Sequence, residues 1–543
     1  MVEVLFYAFL LSLLIGTILT PCLMLGARWF DLLDQPGHRK VHKQPIARVG
    51  GIAFAVGALV SIGYWIPKYD VVIGVIAASI IIVSMGSLDD FWDLQVRYKF
   101  GGQFLAAGVV ATYSQLSWQP FSMILGFEFP DWLAISLTMI LLVAVTNAMN
   151  LSDGLDGLAG GLSLLSFGLI VFIAYHLEDH LVLLLTVPVI GGLLGFLRFN
   201  TFPARVFMGD GGSQFLGFAL GTTALLLTQP GRSSVSPMLV LFCIGVPLLD
   251  LVAVATQRIL EGRSPFYPDQ EHLHHKLLRL GFSHDHVVLF IYFFQICLVG
   301  LAYACQSSSG FILASLYLLI LAAMGAFYYI FSTGRLLDGI KRWRLRALYW
   351  QSRFQLVPWF SQTCLYGLTI GVVGFLFLGM LLPHTTPLAV SYLALGLVLT
   401  IFLWMLGNPK VVLAITRLSL FLGSTLVLYL VENSLLEVGS EVALVYKTFF
   451  WILVLLLLLN IHSNKGHGFQ ATPMDYLLLF LALVLPFLLG IQLGQVELGS
   501  MIAKLIVLFF ACEFLLQAYS SRTRQLGYLS GAVLLGLGLQ GWY

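Results

Sequence analysis

The chain has 543 residues, 59% of them hydrophobic and only 10% charged, with a mean hydropathy of +0.93. Soluble domains carry about a quarter charged residues, so this composition excludes a water-soluble globule and points to a bilayer. A formal net charge of +2 says little about partners in a membrane protein; the placement of the charges says more.

Apolar runs of roughly 20 residues, the length that crosses about 30 Å of hydrocarbon, recur from Leu5 almost to the C-terminus. They amount to about eighteen candidate spans, about eleven before residue 333 and about seven after it, predicting an all-α polytopic transmembrane bundle. The first run reads as a retained helix, because Met1-Val-Glu3 carries an acid where a secretory signal has a basic region. The six cysteines (Cys22, Cys243, Cys297, Cys305, Cys364 and Cys512) show no CxxC spacing and lie mostly inside apolar runs. They suggest neither a disulfide framework nor a zinc site and read as small buried hydrophobes. With the N-terminus outside, only Lys68, Arg232, Lys447 and Lys504 among the 28 Lys and Arg fall away from one side, as the positive-inside rule requires of a cytoplasmic face. On that side lie five polar loops: residues 31–51, 86–100, 147–158, 198–213 and 258–286.

The first loop holds Asp34, Pro36, His38, Arg39, Lys40, His42, Lys43, Pro45, Arg48, Gly50 and Gly51. His42, Lys43 and Arg48 suit a diphosphate or a lipid phosphate, although a plain positive-inside loop has the same composition. The second carries Asp89, Asp90 and Asp93 at the inner end of a span, followed by Arg97 and Lys99. On a continuous helix Asp93 shares a face with both other acids, and such crowding suits a metal or a phosphate-handling base. Its bland alternative is a solvated helix end balanced by Arg97 and Lys99.

The third loop runs Asn147, Asn150, Asp153, Gly154, Asp156, Gly157, Gly160 and Gly161. Amides and carboxylates recur every three residues, oxygen donors of the kind that suit a hard cation such as Mg²⁺. An EF-hand fails here, because no bidentate Glu falls at the twelfth position. In the fourth, Arg205, Phe207, Gly209, Asp210, Gly211, Gly212 and Ser213 open a new apolar helix. Backbone amides at such a glycine-rich helix start favour phosphate, and Asp210 adds a metal ligand; the alternative is a flexible turn capped by Asp210 or Ser213. The fifth places Arg263 before Asp269, Glu271, His272, His274, His275 and Lys276. A zinc cluster is one reading of the histidines. With no cysteine near, they and Arg263 read better as hydrogen-bond donors to substrate phosphates.

A basic stretch follows at residues 334–356, with Arg335, Lys341, Arg342, Arg344, Arg346 and Arg353, and reads as an interfacial linker on the anionic inner leaflet. Beyond it residues 357–543 form a separate membrane region with no catalytic grouping, where Glu432, Glu437, Glu441 and Glu497 read as outer-loop charges.

The order DDxxDL, NxxNxxDGxDGL, FMGDxGS and HxHH over residues 1–333 resembles the polyprenyl-phosphate N-acetylhexosamine-1-phosphate transferases, glycosyltransferase family 4. That superfamily also holds the phospho-N-acetylmuramoyl-pentapeptide translocase and the eukaryotic enzymes that start N-glycan assembly. The forms GRSPF with DxEHLHHKLL and RKxHxxPxxRxGG are similar to the bacterial branch that takes UDP-N-acetylglucosamine-type donors, although Ala47 stands where many members have a second proline. The resemblance implies Asn150 and Asp210 as ligands of Mg²⁺, with Mn²⁺ as a substitute. It implies Asp89 or Asp90 at the acceptor phosphate and Asp153 and Asp156 near the nucleotide sugar, these four with Asp93 making up the catalytic set, and His42, Lys43, Arg48, Asn147, Arg263, His272, His274 and His275 as substrate-binding. The implied partners are a UDP-sugar, undecaprenyl or another polyprenyl phosphate, the lipid bilayer and, in a homodimer, a second copy; nucleic acid is not among them. The implied location is the bacterial inner membrane, with the site on its cytoplasmic face. Two rivals compete. A prenyltransferase also uses DDxxD but leaves Asp210 and the histidines unexplained, and a transporter needs ionisable residues near midspan rather than at span ends on one side.

Overall fold

Hydrocarbon offers no water to a backbone amide, so apolar runs bond internally as helices, and the described residues of the computed structural model are accordingly almost all helical. Those residues are 2–29, 33–34, 45–67, 69–120, 128–229, 235–265, 270–332, 358–381, 388–404, 409–435, 440–463, 472–488, 492–493 and 496–540. Among them eleven helices are long and apolar enough to cross a membrane, with three shorter apolar helices besides, which makes this a multi-pass membrane protein. The chain divides into two compact units, Met1–Arg344 and Leu345–Tyr543.

The first unit contains α1 (Val2–Trp29), a two-residue ribbon of β1 (Leu33–Asp34) and β2 (Ile46–Ala47), α2 (Gly50–Trp65), α3 (Asp70–Trp92) and α4 (Val96–Tyr113). There follow α5 (Asp131–Ser152), α6 (Leu158–His176), α7 (His180–Asn200), α8 (Gly209–Leu227), α9 (Leu239–Ile244) and α10 (Val246–Leu260). The last three are α11 (Leu273–Arg279), α12 (His284–Ala304) and α13 (Gly310–Ser332). Helix α8 is central: it packs on α2, α3, α5 and α6, and every residue from Gly211 to Leu227 is buried. Helices α1, α2 and α7 form a second layer whose backbones nearly touch. A Cβ on Gly192 would stand 2.7 Å from Phe54 O, the small-residue packing that membrane helices use where burial of apolar surface drives nothing. Ser12 Oγ donates to Pro188 O (2.6 Å) and Ser61 Oγ to Ala8 O (2.7 Å) across the same layer.

The second unit contains α14 (Pro358–Leu381), α15 (Leu388–Trp404), α16 (Pro409–Leu435), α17 (Ser440–Ser463) and α18 (Pro473–Leu488). A ribbon of β3 (Gln492–Leu493) and β4 (Val496–Glu497) leads into α19 (Leu498–Ala518) and α20 (Thr523–Gln540). Its core is apolar, from Leu368 to Leu537. Glu432 is not the loop charge expected from sequence: α16 continues past it to Leu435, and its carboxylate pairs with Lys504 Nζ of α19 (2.5 Å) and accepts from Tyr446 Oη of α17 (3.0 Å). A second bridge, Arg417 to Glu513 (2.8 Å), joins the same two helices α16 and α19. The cysteines are also less uniform than expected, since Cys22 and Cys297 are exposed on apolar helices while Cys243, Cys364 and Cys512 are buried. The basic linker lies outside the described residues.

Candidate active site

The ends of α3, α5 and α7, the starts of α4, α6 and α8, and strand β2 are joined by hydrogen bonds and ion pairs in the first unit. Helix α3 ends at Trp92 because Asp93 turns left-handed (φ 48°), its N–H still donating to Asp89 O (2.9 Å). The Asp89 carboxylate then accepts from Leu94 N (2.8 Å), which seals the turn. Asp93 is thereby thrown off the face that a continuous helix would give it; it is exposed, and its carboxylate makes no hydrogen bond or ion pair with a described residue. Asp89 and Asp90 remain in the site and Asp93 leaves it.

Lys99, in the first turn of α4, reaches between two of the acids. It pairs with the Asp89 carboxylate and lies 3.2 Å from Asp210 Oδ2. Asp210, in the first turn of α8, also accepts from Asn150 Nδ2 at 3.2 Å. Ser213 Oγ, one turn along α8, donates to Asn150 Oδ1 (2.8 Å). Asp90 Oδ2 accepts from Gly211 N (3.2 Å). Gly209 is what allows this approach: its φ is +74°, and a Cβ there would stand 2.6 Å from Asp90 Oδ2 and 2.8 Å from Arg48 O, a backbone and a space that only glycine accepts.

Beneath this group lies a buried amide chain. Asn147 Nδ2 donates to Gln103 Oε1 (2.7 Å) and to Val143 O (2.8 Å), and Gln103 Nε2 donates to Gln214 Oε1 (3.0 Å). Asn147, expected at substrate, thus spends both amide hydrogens inside the protein and braces α4, α5 and α8. Asp153 caps α5; burial among Asp210, Asp90 and Asp156 pushes its carboxyl up to about 7, against the opposing pull of Arg48. Asp156 accepts from Ala204 N (2.9 Å), and Asn200 accepts from Gly157 N (3.1 Å) while donating to Val206 O (2.9 Å), so the glycine loop is tied to the chain that leads into α8. That chain is stitched in turn to the first loop, through Phe207 N to Ala47 O (2.8 Å) and Gly51 N to Met208 O (2.8 Å). Arg48 pairs with Asp34 at 2.5 Å. His42 and Lys43 lie outside the described residues.

The histidine segment approaches from another direction. His272 and His274 are buried, with parallel rings 6.2 Å apart, and His274 lies against Gly154 of the glycine loop. Burial, with His275 beside it, pushes His274 down to about 3, so the ring is neutral at physiological pH. His275 is half-buried, its ring 4.2 Å from that of His274. Arg263, expected to meet phosphate, is paired with Glu261. Sequence reading passed over Lys99 as a mere counter-charge, and it missed Gln103, Gln214 and Asp250. Each carried a signal, a polar side chain placed within or at the edge of an apolar helix.

Residues 72–228 match the model of glycosyl transferase family 4. The chain is 36% identical over 289 residues to a probable undecaprenyl-phosphate N-acetylglucosaminyl 1-phosphate transferase of Bacillus subtilis, a match covering 52% of this chain and 80% of that relative. It is 35% identical over 304 residues to a decaprenyl-phosphate N-acetylglucosaminephosphotransferase of Mycobacterium tuberculosis, covering 50% and 75%. To an undecaprenyl-phosphate alpha-N-acetylglucosaminyl 1-phosphate transferase of Escherichia coli it is 33% identical over 270 residues, covering 47% and 72%. With these relatives, the helical membrane bundle and its acidic cluster belong to the class of integral membrane transferases. Within that class, this chain belongs to glycosyl transferase family 4.

Proposed function

We propose that the protein transfers N-acetylglucosamine 1-phosphate, or a closely related N-acetylhexosamine 1-phosphate, from a UDP-sugar to a polyprenyl phosphate, on the cytoplasmic face of a bacterial plasma membrane. The observation that carries this reading is the meeting of Asp89, Asp90, Asn150, Asp210 and Lys99 at the ends of α3, α4, α5 and α8, in a chain related to polyprenyl-phosphate N-acetylglucosamine-1-phosphate transferases.

An oxygen of the lipid phosphate attacks the β-phosphorus of the donor, and the bond between that phosphorus and the bridging oxygen breaks to release UMP. Both reactants are anions, so bringing them together is the main electrostatic task. Lys99, already shared by Asp89 and Asp210, is placed to exchange a carboxylate for a phosphate oxygen. A lipid phosphate is largely deprotonated at neutral pH, its second pKa being about 6, so the chain's carboxylates serve to orient rather than to strip a proton.

The donor set fits Mg²⁺. Asn150 and Asp210 are adjacent and offer oxygen, and no group of three His, Cys, Asp or Glu among the described residues is arranged to hold a metal unaided; Mg²⁺ characteristically takes one or two protein ligands and completes its shell with water and phosphate. Turning the Asn150 amide would present Oδ1 beside Asp210, while Ser213 Oγ, which also donates to Gly209 O (3.0 Å), would accept from Nδ2. When bound there, Mg²⁺ would neutralise charge on the donor diphosphate.

Purified protein given UDP-N-acetylglucosamine labelled in its β-phosphate, polyprenyl phosphate and Mg²⁺ tests the reading. The expected outcome is label in the lipid and UMP in solution. UDP as the sole nucleotide product, or no lipid product from any UDP-N-acetylhexosamine, overturns it.

A further inference from the structure

A carboxylate within an otherwise apolar helical stretch costs free energy unless something uses it. Asp250 stands between Leu249 and Leu251 on α10 and is only 4% exposed. Its three partners come from two other parts of the first unit. Oδ2 bonds His272 Nδ1 at 2.8 Å, Oδ1 accepts from Leu273 N at 3.0 Å, and the Tyr328 hydroxyl of α13 donates to Oδ1. The other nitrogen of the His272 ring, Nε2, is buried with no partner among the described residues, although buried polar atoms are rarely left unpaired.

We propose that Asp250 and Tyr328 are positioning residues that fix the His272 ring, so that its one free nitrogen is held ready for an anionic oxygen of the donor diphosphate. This rests on the transferase reading above. An ionised carboxylate only accepts hydrogen bonds, so its contact with Nδ1 requires the ring hydrogen to sit there, and Nε2 alone remains for a ligand. With Nδ1–H held by the carboxylate, a proton carried at Nε2 when the ligand binds lets that nitrogen donate to the anionic oxygen. The Leu273 N–H would suffice to anchor the segment; the bond to the ring sets its orientation. Tyr328 has a second duty that must be separated from this one, because its ring lies 4.1 Å from the ammonium of buried Lys276. Tyr328→Phe keeps that ring and removes only the hydroxyl.

Asp250→Asn offers an amide N–H to Nδ1 and so favours the opposite tautomer, with little change in volume. The test is a double-mutant cycle on the full-length protein, pairing Asp250→Asn and Tyr328→Phe each with His272→Gln. It is read on UMP release and on the thermal stabilisation given by UDP-N-acetylglucosamine. Asp250→Asn is expected to lower kcat at least about tenfold, the scale of losing an orienting partner, and to reduce the ligand-induced stabilisation. Tyr328→Phe should act in the same direction more weakly. In the His272→Gln background both substitutions should change either readout by less than about twofold. Equal losses in both backgrounds would mean a purely structural role, and wild-type behaviour of Asp250→Asn would mean no role; either overturns the inference. Should Asp250→Asn fail to fold, Tyr328→Phe alone decides by the same criterion. Failure of the transferase reading is distinguishable, since it shows in the wild-type protein itself, as UDP in place of UMP or as no lipid product.

Discussion

Asp153 stands at the C-cap of α5 among Asp90, Asp156 and Asp210, and burial with their repulsion lifts its carboxyl from 3.8 to about 7. The folded protein therefore keeps a proton that the unfolded chain gives up first. Stability from this group is intact below about pH 4 and is lost as pH rises toward about 7. Asp153→Asn removes that loss, so the melting temperature at pH 8 without ligands should rise by about 2 °C, with no difference from the parent at pH 4, while transfer falls steeply. Melting curves at the two pH values check this; a lower melting point at pH 8 would show that the Asp153 carboxylate is stabilised in a way this geometry does not provide. The acids were legible at this scale because aspartates at span ends have few structural uses. The partners of Asn147 were not, since an amide looks the same in sequence whether it faces a ligand or Gln103.

At the scale of elements, the site depends on how one helix stops and another starts. Helix α3 stops one residue before Asp93, and α8 starts at Gly209 directly beneath Asp90. Gly209→Ala would carry the left-handed penalty of about 1–2 kcal/mol and would also press on Asp90 Oδ2 and Arg48 O, so the helix start must shift. Gly262 is the control: its φ is +71°, yet nothing lies within 4 Å of an added Cβ, leaving the backbone penalty alone. Gly209→Ala should cut turnover at least about tenfold, as a misplaced catalytic group does, whereas Gly262→Ala should lose under about threefold. Equal turnover in the two variants would show that the approach of α8 to Asp90 does not matter. Apolar runs located both helices, but the break at Asp93 depends on one backbone torsion and was invisible to a reading that let the helix run on.

At the scale of the molecule, every described residue of the candidate site lies before Arg344 and none in Leu345–Tyr543. A chain ending at residue 344 should therefore keep most of its UMP release once stably inserted in a membrane; complete loss in an inserted truncation would show that the second unit completes the site. By itself the sequence determined that the chain is a helical bundle crossing a membrane many times and that it carries four polar motifs between its apolar runs. Those features follow from composition, from a helical period forced by the absence of water, and from residue types that hydrocarbon does not tolerate without use. Only the tertiary structure decided the groupings: Lys99 between Asp89 and Asp210, Asn150 on Asp210, and His272 on Asp250 and Tyr328. Each joins residues far apart in the chain, and the physical reason is that close helix packing, together with the torsions that end and begin helices, sets which side chains come within hydrogen-bond reach, and local sequence records neither.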